Sequence, residues 1–173
     1  MDYLSTRGGM APQPFSEILI GGLAPDGGLV VPQHYPALSA AERAAWRGHD
    51  YRRLAVEVIG RFATDLDPQV LETLIARTYT AERFGSEAIT PVRELEPGLY
   101  ILGLSHGPTL AFKDIAMQLL GELFGHVLAE RGETLNILGA TSGDTGSSAE
   151  YAMRGKSNVK VFMLSPHGRT SPF

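Results

Sequence analysis

The sequence predicts an α/β chain, mostly helical over about its first 90 residues and alternating between strand and helix thereafter. Two observations carry that expectation. Helix-start signals recur through the first part, at Ser39 with Glu42, at Asp50, and at Asp67 with Pro68. Beyond Thr90-Pro91, short apolar runs at 99–104, 135–138 and 159–164 are separated by helical patterns at 110–129 and 149–153. Strands spaced in this way by helices predict parallel pairing through crossover helices. The division is therefore drawn as a helical domain over 1–90 and an α/β domain over 91–173.

Taken in order, residues 15–20 read as a short helix closed by Gly21-Gly22, and Asp26-Gly27-Gly28 as a turn into a strand at 29–31 that Pro32 stops. Ser39-Ala40-Ala41-Glu42 is a capping box opening a helix to about Trp46. Asp50 caps a helix to about Phe62, with Leu54, Val58 and Ile59 expected on its buried face. Asp67 followed by Pro68 is a cap and a first-turn proline, starting a helix to about Tyr79. Trp46, Phe62 and Tyr79 stand at helix ends among aliphatic residues and read as core packing. Residues 8–14 are the one linker-like stretch.

Composition bounds the function. With 43% hydrophobic residues in 173, the chain is long enough for a core. A net charge of −4 and the lack of a basic cluster argue against a nucleic-acid partner. The absence of cysteine excludes disulfides, a thiol nucleophile and cysteine metal sites. His34, His49, His106, His126 and His167 show no metal-ligand spacing, so no metal is expected. No apolar run is long enough to span a membrane, and Met1-Asp2-Tyr3 begins nothing like a signal peptide, so a cytoplasmic chain with no membrane partner is expected.

One lysine stands out. The chain has three lysines against twelve arginines, and Lys156 and Lys160 lie in polar sequence. Lys113 opens an apolar helical pattern. Met117, Leu120, Phe124 and Val127 follow on its own row, and Phe112, Ile115, Ala116, Leu119 and Leu123 on the next. Pro108-Thr109 reads as the helix start, with Thr109 as N-cap and Lys113 in the first turn. Burial and the positive helix end both disfavour an ammonium there, and a neutral amine is a nucleophile for carbonyl carbon. A snorkelling surface lysine is the competing reading, and His106 beside it reads as a turn residue or a substrate neighbour.

A second element is the run Leu135-Asn136-Ile137-Leu138-Gly139-Ala140-Thr141-Ser142-Gly143-Asp144-Thr145-Gly146, leading to a helix at 149–153 that stops near Arg154-Gly155. Strand, small-residue loop and helix present backbone N–H groups to an anion, with Thr141, Ser142 and Thr145 adding hydroxyls. No Lys-Ser/Thr pair follows the glycines, and their spacing is not that of a dinucleotide fingerprint. Asp144 puts a negative charge in the loop, so a cation or a hydroxyl donor is expected to face it.

Three stretches together resemble the threonine synthase family, pyridoxal 5'-phosphate (PLP) enzymes of the tryptophan-synthase-β, or type II, fold. They are Ser5-Thr6-Arg7-Gly8 with Phe15-Ser16-Glu17-Ile18-Leu19 and Gly22-Leu23-Ala24-Pro25-Asp26-Gly27-Gly28-Leu29-Val30-Val31-Pro32; His106-Gly107-Pro108-Thr109-Leu110-Ala111-Phe112-Lys113-Asp114; and Ala140-Thr141-Ser142-Gly143-Asp144-Thr145-Gly146. The resemblance runs to Ser171-Pro172-Phe173.

It implies a helical N-terminal region followed by the beginning of a type II parallel-sheet core, incomplete at the C-terminus. It implies that Lys113 bonds to PLP and carries protons as acid and base, and that Asp144 faces the 3′-oxygen of the cofactor. It also implies that Thr141, Ser142, Gly143 and Thr145 hold the substrate's α-carboxylate. The implied reaction is O-phospho-L-homoserine plus water giving L-threonine plus phosphate, the last step of threonine biosynthesis. The family's phosphate-cradling loop lies beyond these residues, so the implied alternatives are a non-catalytic N-terminal portion, inactive alone and prone to self-association, or another type II lyase such as threonine dehydratase.

Overall fold

The computed structural model describes residues 1–169, and Ser171-Pro172-Phe173 lies outside them. The chain divides into two compact units, Met1–Ile75 and one that begins at Ala76.

In the first unit, β1 (Tyr3–Ser5) pairs antiparallel with β2 (Val30–Pro32), Leu4 opposite Val31. The strand at β1 was not anticipated. It brings the two halves of the first motif together. Ser5 Oγ donates to both carboxylate oxygens of Asp26 at 2.7 and 2.8 Å, and Gly9 N and Gly28 N donate to the same carboxylate at 2.7 and 2.9 Å. The Ser5 hydroxyl first, and then the Gly28 amide, hold the Asp26 carboxyl below its ordinary pKa. Helix α1 (Phe15–Gly21) begins after Pro14, which offers no side-chain cap. Asp65 caps it from a distant part of the chain, accepting from Phe15 N at 3.1 Å and Ser16 N at 2.9 Å.

Helix α2 (Ala40–Ala45) carries the expected capping box between Ser39 and Glu42. Helix α3 (Tyr51–Ile59) is capped by Asp50, which accepts from Arg53 N at 2.8 Å. Its expected buried face is only half covered, since Leu54 and Ile59 are half-buried and Val58 is exposed. Helix α4 (Pro68–Thr78) starts as read, with Asp67 accepting from Gln69 N at 2.7 Å. Of the three aromatic residues read as core, Tyr79 is buried, whereas Trp46 and Phe62 are half-buried. Trp46 lies under the Arg61 guanidinium at 5.3 Å. Leu66, Leu71, Leu74 and Ile75 are buried.

The second unit opens with a short α5 (Ala81–Phe84), capped by Thr80. A hairpin follows: β3 (Val92–Glu96) and β4 (Leu99–Leu102) pair antiparallel across Pro97-Gly98. The strand expected at 99–104 thus stops early and does not join a parallel pair. A two-residue connection permits only antiparallel return, whereas parallel strands need a crossover. Helix α6 (Asp114–Arg131), β5 (Leu135–Ala140), α7 (Asp144–Met153) and β6 (Val159–Leu164) then form the expected α/β alternation. β5 and β6 pair parallel, Leu135 against Val159 through Ala140 against Leu164, with α7 as the crossover. One face of this pair leaves Leu138, Phe162 and Leu164 exposed.

Helix α6 buries Leu119, Leu123 and Val127 of its expected apolar rows, and beside them a polar row that the apolar pattern did not indicate. Asp114, Gln118 and Glu122, spaced by four, are all buried, together with Gly121. Lys113, Met117, Leu120 and Phe124 are only half-buried. Gly121 lets α7 pass close by, because a Cβ there would meet the carbonyl oxygen of Ala152 at 2.4 Å. Burial of the two carboxylates in this row is tolerated because Asp114 and Glu122 find partners. Glu122 takes Lys156 Nζ at 3.0 Å and also Arg77. Burial by itself would raise the Glu122 pKa, yet the hydrogen bond and charge of Lys156, reinforced by Arg77, hold it below its ordinary value. Lys156, read from sequence as a polar-surface lysine, has a side chain only 16% exposed.

Candidate active site

The turn before Lys113 is built on Asp114. Thr109 N donates to Asp114 Oδ2 at 2.7 Å and Thr109 Oγ1 donates to Asp114 Oδ1 at 2.7 Å. Asp114 is fully buried. Gly107 is required beneath it, since a Cβ there would sit 2.4 Å from Asp114 Cβ. Leu110 adopts a left-handed φ of 60° and donates its N–H to Gly107 O at 3.0 Å. A branched side chain at positive φ stores strain of order 1 kcal/mol, which the Asp114 grip offsets.

Thr109 is therefore not the N-cap. Its hydroxyl is spent on Asp114, so the helix begins five residues later at Asp114, with Lys113 itself in the cap position. The Lys113 carbonyl accepts from Ala116 N at 3.1 Å and Met117 N at 2.8 Å. Its side chain is half-buried rather than enclosed, with Nζ 4.6 Å from the centre of the Phe112 ring. It lines a groove of about 340 Å³ with Leu104, Phe112, Ile115, Ala116 and Met117. Apart from the amine, that lining is apolar. His106 is exposed, its ring close against Gly103.

The glycine loop is shorter than the sequence suggested. Helix α7 starts at Asp144, not near Ala149, so Asp144, Thr145 and Gly146 form its first turn. Asp144 needs no facing cation to account for it, because a carboxylate at a helix N-terminus is favoured by the helix dipole. Thr141 organises the loop: its Oγ1 accepts from Gly143 N at 3.2 Å and Gly146 N at 3.1 Å. Gly146 must be glycine, since a Cβ there would lie 2.2 Å from Thr141 Cγ2. Ser142, Gly143, Asp144 and Thr145 are exposed and Thr141 is half-buried. The N-terminus of α7 is thus open to solvent while its underside is packed.

The two elements are joined through the core. Thr109 Oγ1, already bound to Asp114, lies 3.0 Å from Ser148 Oγ on α7, and Ser148 is fully buried. The turn that presents Lys113 and the helix that carries the glycine loop share one buried polar knot. Sequence reasoning missed Asp114 and Ser148 as positioning residues, although Asp114 closes the second motif and Ser148 follows the third by two residues. Among the described residues no group of histidine or carboxylate side chains is placed to hold a metal ion, and no helix is long and apolar enough to cross a membrane.

Comparison with known proteins gives this geometry a context. The family described as "Threonine synthase N terminus" matches residues 2–79. The threonine synthase of Methylobacillus glycogenes is 57% identical over 180 residues, covering 100% of this chain and 38% of that protein. The threonine synthase of Corynebacterium glutamicum is 56% identical, covering 100% of this chain and 37% of that protein. A crystal structure of PLP-bound threonine synthase from Brucella melitensis superposes with a TM-score of 0.93 at 43% identity, covering 99% of this chain and 37% of that one. The chain therefore spans less than two fifths of the length of these relatives. In sequence and in fold it is a relative of the threonine synthases, matching their N-terminal portion from end to end.

Proposed function

We propose that the chain supplies the lysine-bearing portion of a PLP-dependent threonine synthase, acting on O-phospho-L-homoserine and water to give L-threonine and phosphate in the cytoplasm. The observation that carries the reading is the joining of Lys113, on its apolar groove, to the α7 glycine loop through Thr109, Asp114 and Ser148. The residues present fit the cofactor in one respect. An amine opening on a groove of aliphatic and aromatic side chains suits a flat heteroaromatic aldehyde better than a solvated surface lysine does.

When bound, PLP supplies the electron sink for carbanion chemistry. The rest falls to this chain. Lys113 would hold the cofactor through its amine and would serve as the base and acid that moves protons on the substrate's carbons. Phe112, Ile115 and Met117 give that amine an apolar surround along the groove. The N–H groups and hydroxyls at Thr141, Ser142, Gly143 and Thr145 take the substrate carboxylate at the positive end of α7. Asp144 would help to hold the cofactor on the side of its ring oxygen. Self-association through the exposed apolar face of β5 and β6 is part of the same proposal.

Incubation with PLP, borohydride treatment and peptide mapping test the reading. A pyridoxyl label on Lys113, absent in Lys113→Ala, supports it. Label spread over Lys156 and Lys160, or none, overturns the claim that these residues hold the cofactor. In a chain of the relatives' length, phosphate release from O-phospho-L-homoserine, set against keto-acid formation from threonine, separates a synthase from a dehydratase.

A further inference from the structure

A second cavity, of about 360 Å³, opens in the same unit where α5, α6 and the end of α7 meet, and the cofactor reading leaves it unused. It is lined by Arg83, Gln118, Glu122, Tyr151, Ala152, Arg154, Gly155 and Lys156, none of which lines the Lys113 groove. Its charge is lopsided. Glu122 is the one carboxylate in the lining and is already engaged twice, by Lys156 within the cavity and by Arg77 from outside it. Arg83 and Arg154 form no ion pair among the described residues, although Glu150 lines a neighbouring cavity together with Arg154.

Gln118 supplies an independent observation. Its residue is 3% exposed, and its amide nitrogen Nε2 is buried with no hydrogen-bond acceptor. A buried donor without an acceptor is costly, and native structures rarely keep one without a use. Gln118, with its donor lacking an acceptor, the two arginines without an ion pair, and Tyr151 all line this one cavity. The carbonyl end of α7 opposes an anion there, but with only about half a unit of charge against the two whole charges of the arginines.

We propose that this cavity binds a small oxyanion, a phosphate or a carboxylate, held by Arg83 and Arg154 with Gln118 donating from the floor. Guanidinium groups match the paired oxygens of either ligand, and the neutral amide adds a contact that a spherical halide uses poorly. The site stands apart from the Lys113 groove and does not depend on PLP.

The test is titration of the chain with inorganic phosphate, with acetate and with sodium chloride at matched ionic strength, followed through the ¹⁵N side-chain amide signal of Gln118. Saturable displacement by phosphate or acetate, and not by chloride, supports the proposal, and the tighter of the two names the ligand class. A linear response common to all three salts overturns it. Arg83→Gln with Arg154→Gln weakens binding by roughly tenfold or more. Gln118→Met serves as the second variant. It removes the donor without leaving a polar group unpaired, so thermal stability holds or rises while affinity falls. Unchanged affinity in a folded Gln118→Met chain overturns the role of the floor amide, and unchanged affinity in the double arginine variant overturns the site.

Discussion

Thr109 Oγ1 lies 3.0 Å from Ser148 Oγ and 2.7 Å from Asp114 Oδ1, so one hydroxyl ties the Lys113 turn to the helix behind the glycine loop. Replacing Asp114 by Ala leaves the Thr109 N–H without its carboxylate in a buried place, at a cost of about 2 kcal/mol. The urea midpoint should fall accordingly, and Asp114→Asn should recover part of the loss by keeping one acceptor. An Asp114→Ala chain with the parent midpoint would show the knot to be dispensable.

The glycine loop offers a matched pair. Gly146→Ala drives a Cβ to 2.2 Å from Thr141 Cγ2, whereas a Cβ at Gly143 meets nothing within 4 Å. We expect Gly146→Ala to lose about 1–3 kcal/mol and Gly143→Ala to stay near the parent. Adding Thr141→Ser to Gly146→Ala removes the clashing methyl and keeps the capping oxygen, so it should restore stability. Thermal denaturation of the three variants decides the matter, and equal effects at both glycines would contradict the geometry.

Lys156 and Glu122 form the most covered ion pair named above, with side chains 16% and 11% exposed. Removing the cation by Lys156→Met leaves Glu122 with only the exposed Arg77, a loss of about 3 kcal/mol. The Glu122 pKa is depressed in the folded chain, so the stability it contributes is present above its unfolded pKa. That contribution is lost as pH falls through the folded value. Chemical denaturation as a function of pH should therefore show less acid dependence in Lys156→Met than in the parent.

Glu42 provides a direct titration. The Ser39 hydroxyl, then the Arg61 guanidinium, and then the Ser39 amide lower its pKa from 4.5 to about 2. The sign follows from linkage: this group stabilises the fold above pH 4.5, and that contribution disappears as pH approaches 2. Carboxyl NMR should find Glu42 still ionised near pH 3, and Arg61→Ala should move its midpoint upward. An ordinary midpoint in the parent would mean the Ser39–Glu42–Arg61 linkage does not persist in solution.

Caps and punctuation made much of the fold legible from sequence. Ser39, Asp50 and Asp67 start helices where they were read to, because a cap is a local bond between a side chain and an amide three residues or fewer away. Pairings between distant residues were not legible. Nothing near Pro14 announces that Asp65 will cap α1, and an apolar run at 99–102 looks the same whether its neighbour lies parallel or antiparallel. The burial of α6 was legible only in part for a related reason: Leu119, Leu123 and Val127 are buried as expected, and the polar row beside them was not foreseen. Apolar periodicity points to a core of hydrocarbon, whereas this helix also turns Asp114, Gln118 and Glu122 inward, with Thr109 and Lys156 supplying polar partners to the two carboxylates. Gly121 was the one sign of close helix contact on that face. At the candidate site the residues were read and their reach was not. Lys113 lies on its groove and the loop residues are exposed, but the helix starts moved in opposite directions, by four residues for α6 and five for α7, since Thr109 spends its hydroxyl on Asp114 while Thr141 caps α7 early.

The Asp65 cap also carries a timing for synthesis. Phe15 and Asp65 are separated by 50 residues, and a ribosome adding about 5–20 residues per second needs roughly 2.5–10 s to cover that span. During that interval the seven-residue α1 has neither a cap of its own nor the length to hold together alone. The nascent N-terminus is thus a waiting segment, and its first helix is completed from downstream by the chain that follows it.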